Sequence, residues 1–206
     1  MTNEKNICPL GSKADATKIK IKKNKKVINK PDSSIKRDFY TQAEIAKLTK
    51  ERGNKILDEF NAGMEAIKQY PKSVTIFGSA RLPKKHPSYI AAKELGAKLC
   101  QEGFAVITGG GPGIMQAANQ GTKETCGSAI GFNIELPFEQ SINPYVTHGV
   151  DFHYFFTRKV SMTFSGEAYI YFPGGVGTMD EFFEILTLVQ TKKLPKVPIV
   201  LVGKKF

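Results

Sequence analysis

Three times in this chain a short apolar run ends in a glycine turn and passes into a helical pattern. The first is Thr75-Ile-Phe-Gly-Ser-Ala-Arg81. The second is Ala105-Val-Ile-Thr-Gly-Gly-Gly-Pro-Gly-Ile-Met115. The third is Tyr169-Ile-Tyr-Phe-Pro-Gly-Gly-Val-Gly-Thr-Met-Asp-Glu181. This recurring unit limits the possible folds more than any other feature. Apolar runs without alternation belong to strands buried on both faces, as in a parallel sheet covered by helices. Glycine at the strand end lets backbone approach a ligand and supplies positive φ where needed. The following helix offers unpaired amides and the positive end of its dipole, which suit an anion. Several such turns together describe the ligand crevice of an open parallel sheet.

The rest of the chain keeps the same rhythm. Strands are expected over 73–77, 104–108, 128–134, within 145–152, over 168–172 and over 198–202. Helical spacing covers 88–102, 112–124, 153–165 and 178–191. Ahead of them, 38–70 reads as a helix on Ile45, Leu48, Ile56, Phe60, Met64 and Ile67, with Gly53-Asn54 a point of interruption. Pro112 fits a first-turn position, where its missing N–H costs nothing. The expected fold class is α/β: a Rossmann-like doubly wound parallel sheet with helices on both faces, in a single domain. The expected divisions are a basic extension over 1–37, a leading helix over 38–71 and the Rossmann-like nucleotide-binding domain over 72–206. None of the glycine turns is a Walker loop, because no Gly-Lys-Ser/Thr follows, and none has the full G-x-G-x-x-G fingerprint. The Gly109–Gly113 turn is nearer a mononucleotide-phosphate cradle.

Charge is unevenly spread. The 206 residues carry a net charge of +11, and residues 1–37 hold eleven Lys or Arg against three acids. No aromatic side chain interleaves the lysines of 17–26, so there is no stacking platform for bases. A solvated extension is the plain reading, and a nucleic-acid or membrane-surface arm the other. No secretory signal and no membrane-length apolar segment is present in the sequence. Cys8, Cys100 and Cys126 form no C-x-x-C pair. Cys100 and Cys126 read as buried small hydrophobes, and the pattern suits a cytoplasmic protein. His86, His148 and His153 are too scattered for a zinc set. No metal and no other cofactor is expected.

Gly109-Gly-Gly-Pro-Gly-Ile-Met115, Arg158-Lys159 and Pro173-Gly-Gly-Val-Gly-Thr-Met-Asp-Glu181 resemble the signature set of the LONELY GUY (LOG) family. The likeness extends from Ser73 to Phe206, and every fixed position of P-G-G-x-G-T-x-x-E is matched. Family members are cytokinin riboside 5′-monophosphate phosphoribohydrolases, also labelled lysine decarboxylase-like, and bacterial relatives are associated with AMP nucleosidase activity. The resemblance implies hydrolysis of a nucleoside 5′-monophosphate to free base and ribose 5-phosphate. It implies a homo-oligomer, a dimer or larger; from the sequence itself no membrane partner is expected, and a nucleic-acid partner is the weaker reading of the basic extension. The family also continues with at least one further helix, so the resemblance implies either a chain incomplete at its C-terminus or a partner subunit that covers that flank of the sheet. The alternative is a nucleotide or cofactor carrier of the same fold, which binds without cleaving.

The resemblance pairs Arg158 with Glu181 as catalytic residues. By default Glu181 is a first-turn acid on a helix dipole and Arg158 a surface arginine. In the implied role Glu181 stabilises a ribosyl cation or activates water, while Arg158 binds phosphate or steadies the departing base. The phosphate anchor is expected from Gly110, Gly111 and Gly113 together with Gly174, Gly175, Gly177 and Thr178, on turns taken to end neighbouring strands. Ser79 adds a hydroxyl, or else serves only its own turn. Lys159 is expected at phosphate or subunit contacts and Met115 beside the substrate. Glu135 is expected to touch base or ribose, within a loop over 135–144 that reads as a lid or specificity loop.

Overall fold

The computed structural model describes residues 41–125, 127–136 and 142–203. The basic extension, Cys8, Cys126 and Phe138 of the expected lid lie outside the described residues.

The first element, α1 (Gln42–Gln69), opens with a capping box. Thr41 Oγ1 accepts from the Glu44 amide at 3.3 Å, and the Glu44 carboxylate accepts from the Thr41 amide at 2.7 Å. The helix runs through Gly53-Asn54 without a break. There follow β1 (Ser73–Phe77), α2 (Pro87–Gln101), β2 (Ala105–Thr108), α3 (Ile114–Thr125), β3 (Ala129–Ile134) and β4 (His148–Phe152). The chain continues with α4 (Phe155–Phe164), β5 (Ala168–Tyr171), α5 (Val176–Gln190) and β6 (Ile199–Leu201). Pro87 starts α2, and His86 Nδ1 caps it by accepting from the Ser88 amide at 3.1 Å. α3 starts at Ile114, so Pro112 stands before the helix and not in its first turn.

The six strands form one sheet in the order β4-β3-β2-β1-β5-β6, parallel throughout. The predicted doubly wound α/β fold is what the structure shows. Every residue of β1, β2 and β3 is buried, as their unbroken apolar runs require. Alternate side chains serve two cores. Val74, Ile76, Val106 and Ile170 pack with Tyr89 and Ala92 of α2 and Ala117 and Ala118 of α3. Phe77, Ile107, Phe132 and Tyr171 pack on the other face with Ala66 of α1, Met162 of α4 and Ile185 of α5.

α1 packs chiefly against α4 and β4. Its buried line is Glu59, Gly63 and Ala66, whereas Ile45 and Met64 of the predicted stripe remain exposed. Cys100, expected as a plain buried thiol, is buried but disulfide-bonded. β6 is an edge strand with Val200 and Leu201 exposed. No described helix is long and apolar enough to cross a membrane.

The order of strands reverses at β1. Successive strands β1 to β4 step one way, and β5 then pairs with the free side of β1. Ligand crevices of open α/β sheets lie at such a switch point, beyond the carboxyl ends of the strands.

Candidate active site

The turns after β1, β2 and β5 meet at this switch point. The Ser79 amide donates to the Pro173 carbonyl at 3.1 Å, which joins the first turn to the third. The Ile114 amide donates to the Ser79 carbonyl at 3.0 Å, which joins the second turn to the first. The expected adjacency of the second and third turns is therefore corrected: β1 lies between β2 and β5. A cleft of 840 Å³ opens over the first and third turns and the inner ends of α4 and α5. That volume falls in the usual range for small-molecule sites.

Arg158 and Glu181 come together in its wall, as their pairing by resemblance implied. Arg158 Nη1 lies 3.3 Å from Glu181 Oε1. The two side chains are 9% and 17% exposed, so the pair is largely removed from water. Arg158 Nε donates to the Phe132 carbonyl at 2.7 Å, which fixes the guanidinium plane against β3. Burial pushes the Glu181 carboxyl above its ordinary range, and Arg158 only partly opposes that rise. The backbone of Glu181 is held from below, where the Tyr171 hydroxyl donates to its carbonyl at 3.2 Å. Tyr171 is itself fixed by stacking on Phe77, with ring centroids 4.9 Å apart.

Lys159 also lines the cleft, and so does Asp180. Lys159 Nζ lies 2.9 Å from Asp180 Oδ2 and 3.2 Å from Glu184 Oε2. Burial pulls its pKa down, but hydrogen bonds to Asp180 and Glu184 outweigh that effect and leave it raised.

The glycines of the third turn act through space and not through φ, because none of Gly174, Gly175 and Gly177 has a positive φ. A Cβ on Gly174 would lie 2.2 Å from Thr178 Oγ1, so Gly174 seats the first turn of α5. A Cβ on Gly175 or Gly177 would meet nothing within 4 Å. Packing alone does not demand glycine at these two positions, which line the cleft beside the start of α5. Gly175 caps α5 without a side-chain hydrogen bond, and α5 has no acid in its first turn. Free amides at a helix start of this kind suit an anion.

Gly110, Gly111, Gly113 and Glu135 do not line the cleft. The Gly110 amide is taken by Thr108 Oγ1 at 3.0 Å. Asn143 Nδ2 lies 2.9 Å from the Gly110 carbonyl and 3.0 Å from that of Gly111. Gly110 and Gly113 have φ of 72° and 67°, and a Cβ on Gly113 would lie 2.2 Å from the Ser79 carbonyl oxygen. The second turn is thus a joint between strand ends. Its neighbour Gly109 makes the contact with the site: a Cβ there would lie 2.3 Å from Arg158 Nη2 and 2.8 Å from Met115 Sδ. Glu135 is exposed and bonded to His153 Nδ1 at 2.8 Å. Ser79 lines the cleft, and its Oγ accepts from the Arg81 amide at 3.1 Å, which is the turn role.

Sequence reasoning missed Gly109 and the cleft-lining residues Arg81, Phe155 and Val176. Arg81, four residues beyond β1 in a glycine turn, was the legible one. Val176 is 87% exposed at the start of α5, in the first of the three variable positions of the glycine motif. Among the described residues, no three His, Cys, Asp or Glu side chains cluster as metal ligands.

Fold and site together define a Rossmann-like α/β protein with a ligand cleft at its switch point and a buried Arg–Glu pair in the wall. A family described as possible lysine decarboxylase matches residues 115–206. A cytokinin riboside 5′-monophosphate phosphoribohydrolase of Rhodococcoides fascians is 32% identical over 57% of this chain and 61% of its own length. The cytokinin riboside 5′-monophosphate phosphoribohydrolase LOG7 of Arabidopsis thaliana is 31% identical over 62% of this chain and 59% of its own. Among solved structures, the molybdenum cofactor carrier protein of Chlamydomonas reinhardtii matches with a TM-score of 0.51 and 26% identity, over 64% of this chain and 76% of that one. The chain is thus similar to the LOG family, for which the lysine decarboxylase label is also used. It spans between 50% and 61% of the length of the curated relatives it matches.

Proposed function

We propose that the protein hydrolyses the N-glycosidic bond of a nucleoside 5′-monophosphate, AMP or a cytokinin riboside 5′-monophosphate, to free base and ribose 5-phosphate. The observation that carries this reading is the buried Arg158–Glu181 pair beside the glycine-lined start of α5. In this reading one group takes the phosphate and another faces the sugar. The 5′-phosphate sits on the amides of 175–178, with Arg81 at the mouth of the cleft. The C1′–N bond then lies toward Glu181. As it breaks, its electron pair leaves with the base and positive charge builds on C1′ and the ring oxygen. The Glu181 carboxylate stabilises that charge and takes a proton from the water that adds to C1′. The departing base gains a proton, so one water is consumed. The Arg158 guanidinium holds Glu181 in place while its charge faces the leaving base.

Decarboxylation of an amino acid is not favoured by the cleft. A Schiff-base lysine needs a lowered pKa, and Lys159 is instead held between two acids that raise it. A second reading is a carrier that binds a nucleotide-like cofactor without cleaving it, supported by the likeness to the Chlamydomonas carrier protein.

Chromatography of products after incubation with AMP and with isopentenyladenosine monophosphate tests the proposal. Base release is expected from at least one, and Glu181→Ala is expected to lower it by about 10²-fold or more, the scale of losing a transition-state charge partner. Tight nucleotide binding without base release would overturn hydrolysis in favour of the carrier.

A further inference from the structure

Arg158 stands in the first turn of α4, and no side chain of α4's own N-cap residue closes that turn. Tyr154 occupies the cap position and makes no side-chain capping bond. The acceptor comes from α1. Glu59 Oε1 accepts from the His153 amide at 3.0 Å, and Oε2 from the Tyr154 amide at 3.3 Å and the Thr157 hydroxyl at 2.5 Å. Glu59 is 7% exposed, and no ion pair to it is present among the described residues. A buried acid is tolerated where hydrogen-bond donors surround it, and a helix N-terminus also favours negative charge. One turn along α1, a Cβ on Gly63 would lie 2.4 Å from Ser161 Oγ. Ser161 Oγ in turn donates to the Thr157 carbonyl at 2.9 Å. Two successive turns of α1 therefore fix two successive turns of α4.

We propose that Glu59 is a positioning residue for Arg158. It clamps the residues on either side of the α4 start, and Arg158 is the next residue after the clamped Thr157. Releasing the clamp lets the first turn shift and carries the guanidinium away from both Phe132 and Glu181. The inference rests on the reading of Arg158 as catalytic, but the position of its side chain is measurable on its own. Glu59→Gln keeps the shape and turns an amide donor toward backbone donors. Thr157→Val removes one donor only and serves if Glu59→Gln folds poorly.

Two measurements test the proposal. The first is hydrogen exchange of the Arg158 Nε–H by NMR, its signal assigned by its loss in Arg158→Lys. Exchange is expected to quicken by about tenfold in Glu59→Gln and less in Thr157→Val, as local opening becomes easier. The second is turnover in a double-mutant cycle. Glu59→Gln is expected to cut kcat by about tenfold alone and by less than about twofold in the Arg158→Ala background, because residues acting through one another are non-additive. Unchanged Nε–H exchange in both variants, or an equal loss of turnover in both backgrounds, would overturn the proposal. A wild-type protein that releases no base removes the hydrolytic reading, and the exchange measurement then decides the positioning claim alone.

Discussion

Gly177 lies in the first turn of α5 with open space where a Cβ would stand. Gly177→Ala is expected to leave the protein as stable, or more stable by about 0.4–1 kcal/mol, because it restricts the unfolded chain. It should nonetheless weaken nucleotide binding, since the methyl occupies ligand space. Paired thermal melts and AMP titrations check this, and unweakened binding would remove the phosphate from that turn. Gly109 predicts a different split. Its Cβ would meet the far ends of Arg158 and Met115, which move without disturbing backbone. Gly109→Ala is therefore expected to fold with a near-normal Tm and to lose turnover by about tenfold or more, the usual cost of small misplacements in a site. Glu181 adds a pH signature. Its folded pKa is raised, so the folded state holds its proton where the unfolded chain has lost it. Stability linked to this group is present at pH below the ordinary glutamate range and falls as pH rises through the raised value. Denaturant melts across that window should show the slope in wild type and not in Glu181→Gln. Activity that needs the carboxylate should have its acid limb above the ordinary glutamate pKa.

Among the elements, α2 and α3 show how closely helices approach when glycine permits it. A Cβ on Gly121 would lie 1.8 Å from the Lys93 carbonyl oxygen, and one on Gly96 would lie 2.3 Å from that of Ala118. Both obstacles are backbone. Gly121→Ala is expected to destabilise by about 1–3 kcal/mol or more, as overpacking does, and to lower Tm by several degrees in a thermal melt. β1, β2 and β3 were legible in the sequence because burial on both faces leaves no polar alternation to confuse the pattern. α1 was legible as a helix but not in its orientation. Its inward line is an acid, a glycine and an alanine, none of which registers as hydrophobic periodicity. The apolar residues beside that line set the apparent stripe. The contact of Glu59 with α4 spans more than ninety residues and has no local signature.

At the scale of the whole molecule, Phe155, Phe164 and Phe183 are each more than half exposed on α4 and α5. We propose a homo-oligomer that covers the exposed Phe183, checked by sedimentation: Phe183→Glu should shift it toward monomer, and a monodisperse wild-type monomer would refute it. Arg158 and Glu181 were legible through their motifs, whereas the relation between the glycine turns was not. Strand order is a property of the assembled sheet, and only that order shows β1 standing between the second and third turns.

That order has a consequence for modularity. The stretch that matches the family model, 115–206, holds β3 and β4 on one flank of the sheet and β5 and β6 on the other. Those pairs never touch, because β2 and β1 lie between them. Within this stretch the two flanks meet through their helices, where Arg158 and Lys159 of α4 reach Glu181, Asp180 and Glu184 of α5, and β1 and β2 set the spacing beneath them. A gene fragment carrying only that stretch would encode Arg158 and Glu181 without the strands that space them. Recombination that keeps this chemistry has to carry β1 and β2 as well.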